Sequence, residues 1–296
     1  MTERAGVIIL GSNSTRMLAA DIPGLTRPVR GRVETRLFLG MDEHQNMADD
    51  AIRRAAQSAG QLCSQAREEG AQRIFVLATS AARDARNTVD LARAVQEACG
   101  CAPWILSGQM EARYAYLGAA SAAPGGVGVI DIGGGSTEVV WGTGEDITYA
   151  HSFQLGAARL HAQHAIRTPQ DIAPALELAA NALGAFPQPI PDKWMLVGGT
   201  GAALKDIALQ LPAASPTPEE FAFDRALVSE QLNHMASLTP EERLRVTGLP
   251  PGREHIFPTG LAVLLAVMDT LGIAQGTVTL RNNTDGFLYA YARGIV

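Results

Sequence analysis

The segment Asp131–Glu138 (DIGGGSTE) combines residue types that bind phosphate groups in a tight turn. Its three glycines, residues 133–135, let the backbone approach a ligand closely because no Cβ stands in the way. Their N–H groups, with the hydroxyls of Ser136 and Thr137, would form an anion-binding concavity. Asp131 ends the preceding apolar strand and could hold a metal ion or a water molecule. The pattern predicts a phosphate site with a cation beside it.

A second glycine-hydroxyl turn occurs near the start of the chain. Aligning ILGSNSTRM (9–17) with DIGGGSTEV (131–139) pairs a glycine, a serine and a threonine in the same order. Because each turn stands between two apolar strands, the repeat predicts two similar domains that grip a phosphate chain from both sides of a cleft. The alternative is a chance likeness between two hairpin turns.

A third glycine segment, Gly198–Gly201 (GGTG), lies between a predicted strand and a predicted helix. Such a position favours phosphate because the N–H groups and the helix dipole act together there. A single glycine turn can also be a plain hairpin, so the prediction depends on the three segments occurring together.

Charged residues near the ends of predicted elements could complete the site. Arg16 follows the first turn, Arg83 follows a strand, and Arg253 is expected to open a helix. Arginines grip phosphate oxygens in a bidentate manner, although each of these could instead be a solvated surface charge. Glu111 lies in the first turn of a helix, where the helix dipole favours it, and Glu138 is either a site carboxylate or a plain strand residue.

Histidines and cysteines have simpler interpretations. His161 and His164 share a helix face without a third ligand, which favours a solvated face over a metal site. Cys63, Cys99 and Cys101 form no CxxC pair, so we expect reduced structural thiols.

Two successive runs of strands and helices must position these residues. In the first half we predict strands at 7–10, 15–20, 32–39, 73–78 and 104–106, and helices at 48–69, 88–98 and 109–120. The second half should contain strands at 126–131, 137–141, 146–153, 193–197 and 277–280, and helices at 157–165, 169–185, 202–211, 224–237, 240–246, 254–272 and from 285. The small residues at 121–126 suggest a domain boundary, and 212–218 suggests a loop.

Size and charge exclude several classes of protein. The length of 296 residues favours two domains of ordinary size over one large domain. With 47% hydrophobic and 18% charged residues, the chain is expected to be soluble and globular, and its strands and helices predict the α/β class. Its net charge of -6 argues against nucleic acid as a partner. No signal peptide or membrane span is evident, which predicts a cytoplasmic protein.

Six segments together resemble one family: GSNSTR, ATSAAR, SGQMEARYAYLGA, DIGGGSTE, GGTGAALK and GREHIFPTGLAVL. In this order they are typical of exopolyphosphatases and guanosine pentaphosphate phosphohydrolases, in the short two-domain form. The resemblance implies two ribonuclease-H-like domains of the actin-like, sugar-kinase-like superfamily around a central cleft. We expect domains at 1–122 and 123–284, with the last helix, 285–296, packing on the first.

The resemblance also implies hydrolysis of a terminal phosphoanhydride in inorganic polyphosphate or pppGpp. Glu111 falls on the position of the family's base, and Asp131 and Glu138 fall on acidic positions associated with Mg²⁺ (or Mn²⁺) and water. A homodimer is common among relatives. With the residues identified above, the predicted phosphate ligands are Ser12, Asn13, Ser14, Arg16, Arg83, Gly133, Gly134, Gly135, Ser136, Thr137, Gly199, Thr200, Gly201 and Arg253.

Three positions depart from the family pattern. Ile9 replaces an aspartate, so the first turn lacks the counterpart of Asp131. The family's Arg-Ala-Asp reads Arg253-Glu254-His255, and a Gly-Leu-Arg-Glu-Gly pattern has become 282–286 (NNTDG). These changes predict weaker metal binding and an altered grip on long chains.

Two other functions remain open. Ile9 favours a non-catalytic sensor that binds polyphosphate or a nucleotide, which would show calorimetric binding without phosphate release. Glycine turns around a cleft also suit an actin-like ATPase or a small-molecule kinase, which would transfer phosphate from ATP to an acceptor.

Overall fold

The computed structural model describes residues 3–120, 123, 125–212, 215 and 218–296. The boundary predicted at 121–126 and the loop predicted at 212–218 lie partly outside these residues. The chain divides into two compact units, Met1–Gly118 with Asn283–Val296, and Ala119–Asn282. None of the helices in the described ranges combines the length and apolar character needed to cross a membrane.

The first unit is built on a five-stranded sheet in the order β3-β2-β1-β4-β5. Strand β1 pairs antiparallel with β2 and parallel with β4, so their ends bring the first turn and α2 to one edge. The apolar face of α1 covers Ile8, Leu10 and Met17 of the sheet. The elements are β1 (Glu3–Leu10), β2 (Ser14–Ile22), β3 (Thr26–Glu34), α1 (Asp49–Glu68), β4 (Arg73–Ala78), α2 (Ser80–Asp84), α3 (Thr88–Cys99), β5 (Trp104–Ile105), α4 (Gly108–Ala120) and α11 (Asn283–Ala292).

Helix α11 brings the end of the chain into this unit. Phe287 is fully buried, with its ring centroid 5.0 Å from that of Phe75 and 5.4 Å from that of Tyr114. A Cβ at Gly286 would lie 1.8 Å from the carbonyl oxygen of Tyr114, so only glycine permits this approach. Asp285 forms a bidentate ion pair with Arg30 of β3.

The second unit contains a six-stranded sheet in the order β10-β11-β9-β6-β7-β8. Helix α10 lies at the centre of its core, since nearly all of its side chains are buried. The strands are β6 (Gly126–Ile132), β7 (Thr137–Thr143), β8 (Asp146–Phe153), β9 (Trp194–Val197), β10 (Glu220–Asp224) and β11 (Gln275–Thr279). The helices are α5 (Ala157–Gln163), α6 (Ile172–Leu183), α7 (Gly198–Ala208), α8 (Arg225–Ser237), α9 (Pro240–Arg243) and α10 (Phe257–Leu271).

The repeat seen in the sequence is a structural duplication. Strands β1, β2, β3 and β4 have the same order and directions as β6, β7, β8 and β9. Even the register agrees: Ile9 lies opposite Arg16 in the first hairpin, and Asp131 lies opposite Glu138 in the second.

Several predicted boundaries were wrong. The strand predicted at 32–39 is β3, which spans Thr26–Glu34, because pairing with β2 and not its own polar sequence defines it. Strand β10 was missed, since its few residues become a strand only by pairing with β11.

Two helix starts were also misplaced. Helix α10 begins at Phe257 and not at 254, with Pro258 in its first turn, where a proline has no N–H to lose. Helix α7 begins at Gly198 and not at 202, so the third glycine segment is the first turn of this helix.

Candidate active site

The two glycine turns have the same hydrogen bond at their base. The N–H of Gly11 donates to the carbonyl oxygen of Ser14 over 3.0 Å, and the N–H of Gly133 donates to that of Ser136 over 3.0 Å. Each turn connects a buried strand to its antiparallel partner. The glycine and the hydroxyl residues therefore occupy equivalent positions in the two units.

The first turn is held by the chain that follows β3. The carbonyl oxygen of Asn13 accepts hydrogen bonds from the N–H groups of Thr35 and Arg36, and that of Ser12 accepts one from Phe38. Ser12, Asn13 and Ser14 are all buried. These bonds fix the backbone of the turn.

The second turn is held by helix α5. The N–H groups of Ala157 and Ala158 donate to the carbonyl oxygens of Gly133 and Gly134 over 2.9 and 2.8 Å. The Nε of Arg159 donates to the carbonyl oxygen of Gly135 over 2.6 Å. With its carbonyls bonded to α5, this turn is available to present N–H groups to an anion.

Two buried carboxylates lie beside the second turn. Asp131 and Glu138 are directly opposite on neighbouring strands and are 6% and 3% exposed. The hydroxyl of Ser152 donates to Glu138 Oε1 over 2.7 Å. A Cβ at Gly198 would lie 2.4 Å from Asp131 Oδ1, so the glycine makes room for this carboxylate.

This carboxylate pair fits a divalent cation. Like charges directly opposite in a sheet repel each other, and a cation would neutralise them. Mg²⁺ in proteins commonly takes one or two carboxylates and completes its octahedron with water and substrate phosphate oxygens. Within the described ranges, no group of three His, Cys, Asp or Glu residues is arranged to hold a metal ion. Water and substrate would therefore supply the remaining ligands.

The third glycine segment lies against Arg253. A Cβ at Gly199 would fall 1.8 Å from Arg253 Nη1, so the guanidinium rests on the first turn of α7. Arg253 is buried and precedes α10, instead of opening that helix as predicted. Arg243 holds the backbone next to Arg253, because its Nη1 donates to the carbonyl oxygen of Glu254 over 3.1 Å. Gly201 and Thr200 are buried in the same turn.

In the first unit, Glu111 and Arg83 form an ion pair. Glu111 lies in the first turn of α4 with its carboxylate almost fully buried, and Arg83 Nη1 donates both to Glu111 Oε1 and to the carbonyl oxygen of Leu106. Arg83 Nη2 is also buried, and it has no hydrogen-bond partner among the residues described. A predicted base and a predicted phosphate ligand are thus in direct contact.

Unpaired hydroxyls accompany these charges. Thr137 Oγ1 and Thr200 Oγ1 are buried and, within the part of the chain that the structure describes, have no hydrogen-bond partner. Both belong to predicted phosphate-binding segments. Buried polar atoms are normally satisfied, so these hydroxyls are candidates for contact with a ligand.

Residues of β3 were not anticipated as part of the first turn's surroundings. Arg32 lies opposite Arg16, and Glu34 accepts hydrogen bonds from Arg32 and from the Asn13 side chain. The sequence shows Arg32 and Glu34 at alternating positions, which places them on one face of a strand. Only the pairing of β3 with β2 reveals that this face contains Arg16.

The predicted histidine face is only partly solvated. His161 is partly buried, its ring centroid lies 6.1 Å from that of His255, and burial lowers its pKa with help from the nearby His255. His164 Nε2 lies 3.1 Å from the carbonyl oxygen of Asp171.

The structure therefore groups the predicted residues by unit. The first unit contains Ser12, Asn13, Ser14, Arg16, Arg83 and Glu111. The second contains Asp131, Gly133, Gly134, Gly135, Ser136, Thr137, Glu138, Gly199, Thr200, Gly201 and Arg253.

Comparison with known proteins gives a consistent family. The sequence model of the Ppx/GppA phosphatase family matches residues 22–293. An exopolyphosphatase-like protein of known structure is 22% identical over 99% of both chains, with a TM-score of 0.90. An exopolyphosphatase from Cytophaga hutchinsonii is 20% identical, covering 99% of this chain and 98% of that one, with a TM-score of 0.86. The Aquifex aeolicus Ppx/GppA enzyme is 22% identical over 98% of this chain and 100% of that one, with a TM-score of 0.81.

These likenesses extend over both units, and their TM-scores show that the fold is shared. The predicted fold class, an α/β chain with two related domains, is confirmed by them and by the duplicated sheet topology.

Proposed function

Because this chain belongs to the Ppx/GppA phosphatase family, we propose that it hydrolyses a terminal phosphoanhydride of inorganic polyphosphate or pppGpp. The observation that carries the proposal is the ion pair between the buried Glu111 and the partly buried Arg83. Hydrolysis needs a base that takes a proton from water and a positive charge that binds the phosphate. Glu111 suits the first role and the guanidinium of Arg83 suits the second, and the two side chains are in contact within one unit.

The proton balance assigns a role to each partner. Arg83 Nη2, which has no partner within the described ranges, would bind an oxygen of the terminal phosphate. Water attacks the terminal phosphorus, the bond from phosphorus to the bridging oxygen breaks, and Glu111 accepts the proton that water loses. The bridging oxygen leaves with the shortened chain. When phosphate takes part of the positive charge of Arg83, the Glu111 carboxylate becomes a better proton acceptor.

The second unit has its own groups that suit phosphate oxygens. The N–H groups of Gly134, Gly135 and Ser136 suit the oxygens of the transferred phosphoryl group, which gain charge as the bond breaks. The N–H of Gly133, also predicted as a ligand, is used within the turn by its bond to the carbonyl oxygen of Ser136. Arg253 and the N-terminus of α7 would bind further phosphate oxygens. Arg16 and the Ser12–Ser14 turn would do so from the first unit.

Mg²⁺ is the cofactor we propose, held by Asp131 and Glu138. When bound, the ion would draw charge from phosphate oxygens and orient them. The two side chains would keep it beside the second turn, and Ser152 would orient Glu138 through its hydrogen bond.

The substrate proposal covers both polyphosphate and pppGpp, since both present a terminal phosphoanhydride. The similar fold of an exopolyphosphatase makes polyphosphate the first substrate to test. We place the reaction in the cytoplasm, which is supported by the free thiols of all three cysteines. A homodimer, and the absence of nucleic-acid partners, stay predictions from the sequence.

The test compares phosphate release from polyphosphate, pppGpp and ATP, with and without Mg²⁺. Glu111→Gln keeps the shape of the side chain but removes the proton acceptor, so we expect release to fall by about 10²–10⁴-fold. Glu97→Gln, at an exposed position of α3, is the matched control and should retain the wild-type rate. Unchanged turnover in Glu111→Gln would remove this residue from the mechanism.

A sensor is the second candidate, favoured by one observation. Ile9 is buried where the second unit has Asp131, so the first turn lacks a carboxylate at this position. A sensor would bind polyphosphate in a calorimeter and release no phosphate with excess Mg²⁺ or Mn²⁺. Release that depends on Glu111 would exclude it.

A further inference from the structure

Asn13 gives the first turn a side chain that the second turn lacks. The backbone carbonyl oxygen of Asn13 accepts hydrogen bonds from Thr35 N and Arg36 N at 3.0 and 2.9 Å, and only 5% of the residue is exposed. The equivalent residue of the second turn is Gly135, which has no side chain. A fixed, buried amide is therefore particular to the first turn.

Glu34 determines which end of this amide faces the turn. Asn13 Nδ2 donates to Glu34 Oε2 over 2.5 Å, and Arg32 Nη2 donates to the other carboxylate oxygen. An ionised carboxylate accepts hydrogen bonds and donates none, so the reversed amide would bring two acceptors together. Asn13 Oδ1 must therefore point away from Glu34.

Asn13 Oδ1 is an acceptor in need of a donor. It is buried and, within the described ranges, has no hydrogen-bond partner. Buried polar atoms are rarely left unsatisfied. An ionised phosphate oxygen is itself an acceptor and cannot satisfy this atom, whereas a water molecule can.

We propose that Asn13 Oδ1 binds a water molecule used in the reaction, and that Glu34 is the positioning residue that orients it. This inference rests on the proposed function and changes the role that the sequence predicted for Asn13, which was a phosphate ligand. The water is the attacking one, whose proton Glu111 of the same unit would accept. The atom that binds this water in the first turn is the neutral amide oxygen of Asn13. A carboxylate like that of Asp131 is missing from the first turn, because Ile9 occupies the equivalent position.

The first test separates water binding from phosphate binding. In Asn13→Ala we expect kcat for polyphosphate to fall by about 10–100-fold, because a misplaced water reacts slowly. The KM, and the Kd of polyphosphate measured by calorimetry without divalent cation, should change less than about twofold, since the phosphate contacts stay. A Kd that rises about tenfold, with kcat retained, would make Asn13 a phosphate ligand and overturn the proposal.

A side-chain exchange tests the role of Glu34. Asn13→Asp sets a second carboxylate against that of Glu34. Because the two negative charges repel each other, the side chain of residue 13 should lose its orientation, and kcat should fall. In the double variant Asn13→Asp with Glu34→Gln, the glutamine amide can donate to the aspartate, and kcat should recover most of the loss. A double variant no faster than Asn13→Asp alone would show that Glu34 does not orient residue 13.

Asn87→Ala is the matched control. Asn87 Oδ1 accepts from Met47 N and its Nδ2 donates to Met47 O, both over 2.9 Å, which is a structural role. This variant should lower Tm and leave kcat unchanged. In Asn13→Ala, the Mg²⁺ concentration for half-maximal rate should stay as in the wild type, and a rise would contradict the assignment of this water to the attack.

Failure of the proposed function gives a different result. A wild-type protein that releases no phosphate from any substrate would exclude hydrolysis. Calorimetry would still decide the role of Asn13, because a phosphate ligand weakens polyphosphate binding when truncated and a water ligand does not.

Discussion

The two glycine turns have the same geometry and opposite charge. In the first, Ile9 lies opposite Arg16, and in the second, Asp131 lies opposite Glu138. The duplicated hairpin thus presents one positive charge at this pair of positions in one unit and two negative charges in the other. Glycines and hydroxyls set the shape of such a turn, whereas a single pair of opposing residues sets what it attracts.

Under the proposed function, this difference in charge gives the two units different roles. The first unit, with Arg16, Arg83 and Glu111, is suited to phosphate oxygens and proton transfer. The second, with its carboxylate pair, is suited to a cation that the substrate helps to bind. Under the proposed function, both protein ligands to the metal belong to the second unit.

Between equivalent positions of the two turns, the largest expected effect comes from Asp131 in the second turn. Asp131→Asn removes half of the carboxylate pair, and we expect phosphate release to fall by about a hundredfold or more, as a bound metal supplies several kcal/mol of charge stabilisation. The Mg²⁺ concentration for half-maximal rate should rise in the same titration.

Ile9→Val is the control at the equivalent position. It removes one buried methylene group, costs about 0.5–1.5 kcal/mol of stability, and should leave the rate unchanged. Equal effects of the two substitutions, or a full rate in Asp131→Asn, would contradict the assignment of the cation to the second turn.

A smaller effect is expected from a substitution at Gly156, which precedes α5, the helix that supports the second turn. A Cβ at Gly156 would lie 2.5 Å from the carbonyl oxygen of Gly134 and 2.7 Å from the carbonyl carbon of Gly135. Gly156→Ala should therefore push the turn aside, cost about 1–3 kcal/mol, and lower kcat. Thermal unfolding and steady-state rates measure the two consequences.

Gly126→Ala serves as the comparison for Gly156→Ala. Its Cβ would meet Thr143 Oγ1 at 3.5 Å, which is an ordinary contact, so both stability and rate should be retained. If Gly156→Ala behaves in the same way, α5 does not fix the shape of the turn.

The smallest effect concerns His161, on the helix that supports the second turn. Burial lowers its pKa below the ordinary value of 6.5, so the unfolded chain binds more protons than the folded protein just below that pH. Stability should therefore fall as the pH drops below about 6.5. His161→Gln should flatten this dependence of Tm between pH 5 and 8.

His234, an exposed histidine of α8, offers the control. His234→Gln should leave the slope of Tm against pH as in the wild type. A wild-type slope in His161→Gln would mean that burial of this imidazole does not contribute to acid sensitivity.

Local patterns predicted much of this molecule. The glycine turns, the strand at 73–78 and the two-domain α/β class follow from turn chemistry, apolar runs and the repeat, all of which act over short distances. Strand β10 and the bounds of β3 did not follow, because pairing with distant strands defines both.

Prediction of the candidate site from the sequence has the same limit. The contact between Glu111 and Arg83 joins residues of two helices, and the bond from Asn13 to Glu34 requires the register of β3. A sequence shows that these side chains exist, but long-range packing decides that Arg83 Nη2 and Asn13 Oδ1 are left without a hydrogen-bond partner among the described residues.

The return of α11 has a consequence for the order of folding during synthesis. The second unit is one continuous stretch, whereas the first lacks Phe287 from its core until α11 has left the ribosome. The first unit is thus completed only after the whole of the second unit has been synthesised. A nascent chain without α11 would expose the ring of Phe75 and the backbone of Tyr114, and exposed apolar surface of this kind makes a folding intermediate prone to aggregation.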